Sequence, residues 1–153
     1  MFPKISAPIA TFFLRIPLSA MFLQQGLSKL PVTGATAEAW GLPYIVWWFV
    51  TWGEIGAAIG LIAGGLLGLI PWHARHFFLA RIGRNQPAFK WFVEELGDLT
   101  TRFSGITMTC IATGVIWILS PASLWDVIYK DYLHVSLYVG GLYFALRGNA
   151  KYI

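Results

Sequence analysis

Glu54 is the residue of this chain best placed to do chemistry, because its carboxyl group lies within an apolar run from Tyr44 to Ile70. A carboxylate at bilayer depth is costly, so we expect it to be protonated or paired. Arg15 is the basic residue well inside another apolar run, while Gln24 and Gln25 match the depth of Glu54 more closely. We therefore predict an intramembrane polar cluster of these four residues. In this cluster Glu54 either holds the helices together through an ion pair or hydrogen bonds, or is a functional carboxylate.

A second candidate site combines Glu54 with Gln24, Trp52 and His134 in the outer half of the predicted bundle. A polar spot of this kind suits a quinone head group, and Trp52, Glu54 and His134 are the predicted contacts. Many four-helix bundles with a few polar residues offer a similar spot, so the pattern is not specific.

Histidine and cysteine do not form a metal or haem site in the sequence. His73 and His76 follow the second apolar run whereas His134 begins the fourth, so they lie at opposite ends and cannot ligate one haem together. Cys110 is the single cysteine, which excludes an intrachain disulfide and a thiolate cluster. We expect this chain alone to bind no metal and no cofactor, with a quinone as the candidate ligand.

The elements that must position these residues are four membrane-spanning helices. The chain is 57% hydrophobic and only 12% charged, and a spanning helix needs about 20 residues. The predicted fold is an all-α, membrane-embedded four-helix bundle in a single domain, with spans at about residues 5–30, 44–70, 101–120 and 130–147.

Residues 72–100 are too polar to span and carry apolar residues at helical spacing. This pattern predicts an amphipathic helix in the cytoplasmic interface between helices 2 and 3. Docking of a soluble partner on the same face is the alternative. The residues assigned to this interfacial or docking segment are Arg81, Arg84, Lys90, Trp91, Glu94 and Glu95.

Basic residues concentrate on one side of the predicted membrane, where they lie near both chain termini and in the loop between helices 2 and 3. The positive-inside rule then places both termini in the cytoplasm. The formal charge of +4 is accounted for in this way, so nucleic acid is not an expected partner. The expected partners are the lipid bilayer and other membrane subunits.

Helix 2 carries glycines at every fourth position after Glu54, which align as one stripe of small residues. Such stripes let helix backbones approach closely in lipid. The predicted packing seam consists of Gly56, Gly60, Gly64 and Gly68.

The order of these features resembles the DoxX family of small four-helix membrane proteins. The residues that carry the resemblance are Arg15, the run Gly26 to Leu30, Pro43, Glu54 with its glycines, Arg102, and the closing run Arg147 to Tyr152. The resemblance implies a bacterial or archaeal cytoplasmic membrane protein associated with redox systems, such as the membrane subunit of thiosulfate:quinone oxidoreductase. The long segment between helices 2 and 3 departs from the family pattern.

Three functions follow as alternatives. The first is an accessory or quinone-handling subunit of a larger membrane redox complex, without independent catalysis. The second is a purely structural subunit that packs against a larger assembly. The third is a small proton-coupled transporter that uses Glu54, although a nearby Arg15 would hold that carboxylate ionised.

Overall fold

The computed structural model describes residues 7–73, 87–119 and 122–149, and these residues form six α-helices and no strand. The all-α prediction is confirmed for them. The helices are α1 (Ala7–Ser28), α2 (Gly34–Ala39), α3 (Tyr44–His73), α4 (Pro87–Ile118), α5 (Leu124–Lys130) and α6 (Tyr132–Arg147).

Four of these helices are long and pack side by side, in the order α1, α3, α4 and α6. The most extensive contacts join α3 to α4, α4 to α6 and α1 to α3, while α1 touches α6 only slightly. Two ends can be defined. At the Lys29 end α1 finishes and α3 begins, and at the Asn149 end α1 begins and α6 finishes.

The sequence predicted a separate interfacial helix before helix 3, and α4 differs from this prediction. Residues 87–100 are the first turns of α4, which continues without a break to Ile118 over 32 residues. The apolar residues of both segments follow one helical repeat, and no proline or glycine pair interrupts it. A helix of this length measures about 48 Å, which exceeds the hydrocarbon thickness of a bilayer.

The interior of the bundle combines an apolar core, which includes Phe22, Leu61, Met108, Leu137 and Phe144, with buried polar residues. Its most deeply buried residues include six polar or charged ones, which are Arg15, Ser19, Thr51, Glu54, Thr101 and Ser104. Large apolar side chains lie on the outside, among them Phe13, Phe49, Phe103 and Trp117. In a protein folded in water, buried charged side chains are rare and large apolar side chains seldom cover so much of the outside.

Among the described residues, the segment Tyr44–Leu69 of α3 alone is long and apolar enough to cross a membrane by length and composition. Polar residues lower the hydropathy of α1 and α4, and α6 has only 16 residues. The spans predicted at about 5–30, 101–120 and 130–147 therefore stay predictions.

The two short helices close the Lys29 end and begin with side-chain caps. Thr33 caps α2 in a reciprocal arrangement with Thr36, and Ser123 accepts a hydrogen bond from the backbone of Asp126 at the start of α5. Lys130 lies 2.7 Å from Asp126. Its hydrogen bond and charge hold the pKa of that carboxyl group below its ordinary value.

Candidate functional site

Glu54 pairs with Lys29 in the interior of the Lys29 end. The ammonium Nζ lies 2.6 Å and 2.8 Å from the two carboxylate oxygens, and it also donates to the carbonyl oxygen of Gln25 at 3.2 Å. The side chain of Glu54 is 4% exposed and that of Lys29 is 14% exposed. Lys29 lies just beyond the end of α1. The flexible aliphatic part of its side chain reaches back to the carboxylate, as long basic side chains commonly do in membranes.

The predicted pairing of Glu54 with Arg15 is wrong. Arg15 lies level with Leu61 and Gly65, which follow Glu54 by seven and eleven residues along α3. That offset corresponds to about 10–16 Å at 1.5 Å per residue. The two residues are too far apart along the bundle for a contact, so each has its own partners.

Arg15 is 2% exposed and joins three other parts of the bundle. Its guanidinium group donates to the carbonyl oxygen of Leu61 at 2.8 Å, to Thr101 Oγ1 at 2.8 Å and to Asn149 Oδ1 at 2.6 Å. Its Cζ atom also lies 4.7 Å from the centre of the Phe144 ring, a cation–π distance. One side chain from α1 therefore ties together α3, α4 and the end of α6.

The polar contacts continue around Asn149 and Asp98. Asn149 donates from its side chain to the Gly64 carbonyl at 2.9 Å and from its backbone to Asp98 at 2.6 Å. Arg102 donates to Asp98 at 2.7 Å and to the last carbonyl groups of α6, which lack partners within the helix. We call Arg15, Asp98, Thr101, Arg102 and Asn149 the Arg15 network.

The other residues of the predicted polar sites do not converge on Glu54. Gln24 is exposed on α1, and Gln25 contributes only its backbone carbonyl to Lys29. Trp52 is 46% exposed and packs against Trp48 on the outer surface of α3. His134 is half-buried and contacts Asp131 at 2.6 Å.

A cavity of about 520 Å³ opens beside the Lys29–Glu54 pair. Its volume is within the range of small-molecule sites. We call it the Trp47 cavity. Its polar wall includes Gln25, Lys29 and His134, and its apolar wall comes from α2, the first turns of α3 and the last turns of α4.

The size of the facing residues explains why α3 and α4 leave this space at the Lys29 end and not at the Asn149 end. At the Asn149 end, a Cβ atom at Gly64 would lie 2.8 Å from the carbonyl oxygen of Gly97, so the backbones almost touch there. At the Lys29 end the facing positions carry larger residues such as Val46, Val50 and Ile111. The two helices are therefore closely packed at one end and leave the cavity at the other.

The predicted glycine seam has two kinds of members. Gly60 and Gly64 lie against α4, and Gly68 lies against Asn149. Gly56 has open space where a side chain would be. Close approach therefore explains three of the four positions.

Part of the predicted docking segment can be placed. Trp91 and Glu95 are exposed on the first turns of α4, and Glu94 is half-buried beside them. Arg81 and Arg84, together with the side chain of Lys90, lie outside the described residues.

Sequence reasoning missed Lys29, Thr101, Asn149 and Trp47 as members of these sites. Lys29 lies at the end of the first apolar run, but its aliphatic chain is long enough to reach inward. Thr101 and Asn149 are common polar residues that carry no spacing signal, and only helix packing brings them to Arg15.

The chain was compared with protein-family models, curated proteins and solved structures. The family model described as DoxX matches residues 10–71, which include Arg15, Lys29 and Glu54. No curated protein and no solved structure matches the chain.

Proposed function

Residues 10–71 match the DoxX family model, and from this premise we propose that the chain is a DoxX-type, membrane-embedded four-helix subunit of a larger redox complex. In this proposal α1, α3, α4 and α6 are the four spans, and both termini face the cytoplasm of a bacterial or archaeal cell. The subunit handles quinone or supports the complex without independent catalysis.

The buried polar side chains and the apolar outer surface of the bundle together support the membrane setting. Polar side chains such as Arg15 and Thr101 are buried and hydrogen-bonded to each other, while aromatic and aliphatic side chains cover the outside. In a bilayer, exposed apolar surface carries no penalty and buried polar residues join the helices. This is the observation that carries the proposal.

The Trp47 cavity supports the quinone part of the proposal. It lies at one end of the bundle, between apolar walls and a few polar groups. A quinone has a flat ring with polar oxygens and an apolar tail, so its parts match these two kinds of wall.

A purely structural subunit is the second candidate, and the Arg15 network favours it. This network joins all four long helices through neutral hydrogen-bond acceptors and one carboxylate. A proton-coupled transporter ranks third, because Lys29 occupies both carboxylate oxygens of Glu54 with hydrogen bonds.

Ligand-induced stabilisation of the full chain in lipid nanodiscs tests the quinone part. Decylubiquinone at about 100 times its dissociation constant should stabilise the fold by about 2.7 kcal/mol, which raises the unfolding temperature by about 5–10 °C. Gly114→Leu should remove this shift, since Gly114 lines the cavity and an added side chain meets no atom there. Gly56→Leu is the matched control, because it also enters open space but away from the cavity.

Purification in mild detergent tests the subunit part. Redox proteins should be recovered with the chain, and Glu54→Gln should lower electron transfer in the recovered complex. Unchanged electron transfer with intact assembly supports the purely structural alternative. A partner-free chain that shows no quinone stabilisation contradicts the proposal as a whole.

A further inference from the structure

Trp47 lines the Trp47 cavity and carries an unexplained polar group, which is closed off from the cavity in this structure. Its side chain is 3% exposed, and its indole Nε1–H has no hydrogen-bond partner among the described residues. Leaving a buried donor unpaired costs about 1–3 kcal/mol. Buried donors in native proteins are rarely left in this state, so the group needs an explanation.

The Trp47 ring forms a flat wall with its neighbour. Trp40 stacks on it with the ring centres 5.8 Å apart and an angle of 20° between the planes. Both residues line the cavity. A flat ligand ring matches this surface better than a branched or spherical group.

The polar side chains of Lys29 and His134 in the cavity wall already have partners. Lys29 is paired with Glu54, and the His134 ring nitrogen Nδ1 lies 2.6 Å and 2.8 Å from the carboxylate oxygens of Asp131. The Lys29 ammonium group is therefore not free to pair with an anionic ligand, whereas a neutral ligand leaves both contacts intact.

The apolar wall lies between two helices. Val46 and Val50 from α3 face the cavity together with Ile111, Val115 and Ile118 from α4. Val46 and Ile118 are also exposed on the outer surface. An apolar chain attached to the ligand ring can therefore leave the cavity between α3 and α4 towards lipid.

We propose that the indole N–H of Trp47 donates a hydrogen bond to the ring carbonyl oxygen of a neutral quinone, which enters the Trp47 cavity between α3 and α4. Because Nε1 is closed to solvent, binding includes a rotation of the indole against Trp40 that turns Nε1 towards the cavity. The proposal rests on the quinone-handling function above and names the residue that recognises the ligand.

Cys110 provides a direct readout, since it lines the cavity and is the only cysteine of the chain. The measurement is the rate of its labelling by N-ethylmaleimide in nanodiscs at increasing decylubiquinone. The ring of this quinone is fully substituted, so it does not alkylate the thiol. We expect quinone to slow labelling of the wild-type chain in a saturable manner.

Trp47→Phe should raise the half-protecting quinone concentration about 3- to 10-fold, the loss expected for one neutral hydrogen bond. Trp48→Phe should leave that concentration unchanged, because Trp48 is the exposed neighbour and does not line the cavity. If Trp47→Phe does not fold, replacement of Trp47 by 3-benzothienylalanine keeps the shape of the ring and removes only the N–H.

Equal protection in the wild type and the benzothienyl variant overturns the role of Trp47 while leaving the quinone cavity in place. Absence of protection in a wild-type chain that still binds its redox partners overturns this inference and leaves the subunit role standing. Absence of both protection and partners contradicts the proposed function as well.

Discussion

At the scale of single residues, Glu54 and Arg15, the charged residues that are buried in the described part of the chain, have separate and different environments. Glu54 has a cationic partner in Lys29. Arg15 is surrounded by neutral acceptors and the face of Phe144. Removing one member of a buried pair leaves the other charge uncompensated, which costs more than removing both.

Double-mutant cycles can test this separation. Glu54→Gln and Lys29→Met should be coupled by about 0.5–3 kcal/mol in the free energy of unfolding, because they contact each other. Glu54→Gln and Arg15→Lys should be additive within about 0.5 kcal/mol, since they share no partner. The measurement is denaturant unfolding in detergent micelles.

Gln24→Leu serves as the control for these variants, because Gln24 is exposed on the same helix as Arg15. It should change stability by less than about 0.5 kcal/mol. Strong coupling between Glu54 and Arg15 would contradict the arrangement described above.

At the scale of elements, the contact between α3 and α4 depends on glycine at particular positions. A Cβ atom at Gly64 would lie 2.8 Å from the Gly97 carbonyl oxygen and 2.9 Å from the backbone nitrogen of Thr101. Backbone atoms cannot move aside as a flexible side chain can, so the helices would have to separate.

Gly64→Ala should therefore destabilise the bundle by about 1–3 kcal/mol, as overpacking does in closely packed interiors. Gly56→Ala should instead stabilise it by about 1 kcal/mol, because its site is open and alanine favours the helix more than glycine does. Thermal unfolding of the two variants measures the difference. Equal effects of both substitutions would show that the stripe acts through helix propensity alone.

At the scale of the whole molecule, α3 and α4 extend beyond the thickness of a bilayer. Their 30 and 32 residues measure about 45 Å and 48 Å. In the proposed orientation the exposed Trp91 and Glu95 on the first turns of α4 lie in the cytoplasmic interface, and the α2 segment lies on the opposite side.

Cysteine accessibility in a Cys110→Ser background tests this orientation. Glu38→Cys, in the exposed part of α2, should react with a membrane-impermeant maleimide in intact cells. Glu95→Cys should react only after the membrane is made permeable. The reverse pattern would invert the proposed topology, and labelling of both positions in intact cells would contradict a single orientation.

The amino-acid sequence by itself determined the helical class and the resemblance to DoxX. These depend on local patterns, namely the long apolar runs, the glycine repeat after Glu54 and short ordered motifs in residues 10–71. The close contact at Gly64 also follows from such a pattern, since residues four apart share one face of a helix.

Only the tertiary structure decided which polar residues meet. The axial offset between α1 and α3 places Lys29 rather than Arg15 beside Glu54. Residues distant in the chain, such as Thr101 and Asn149, meet Arg15 because of helix packing. A shift of one helical turn moves a side chain by about 5.4 Å, which exceeds the reach of a hydrogen bond, and hydropathy patterns do not define positions to that accuracy.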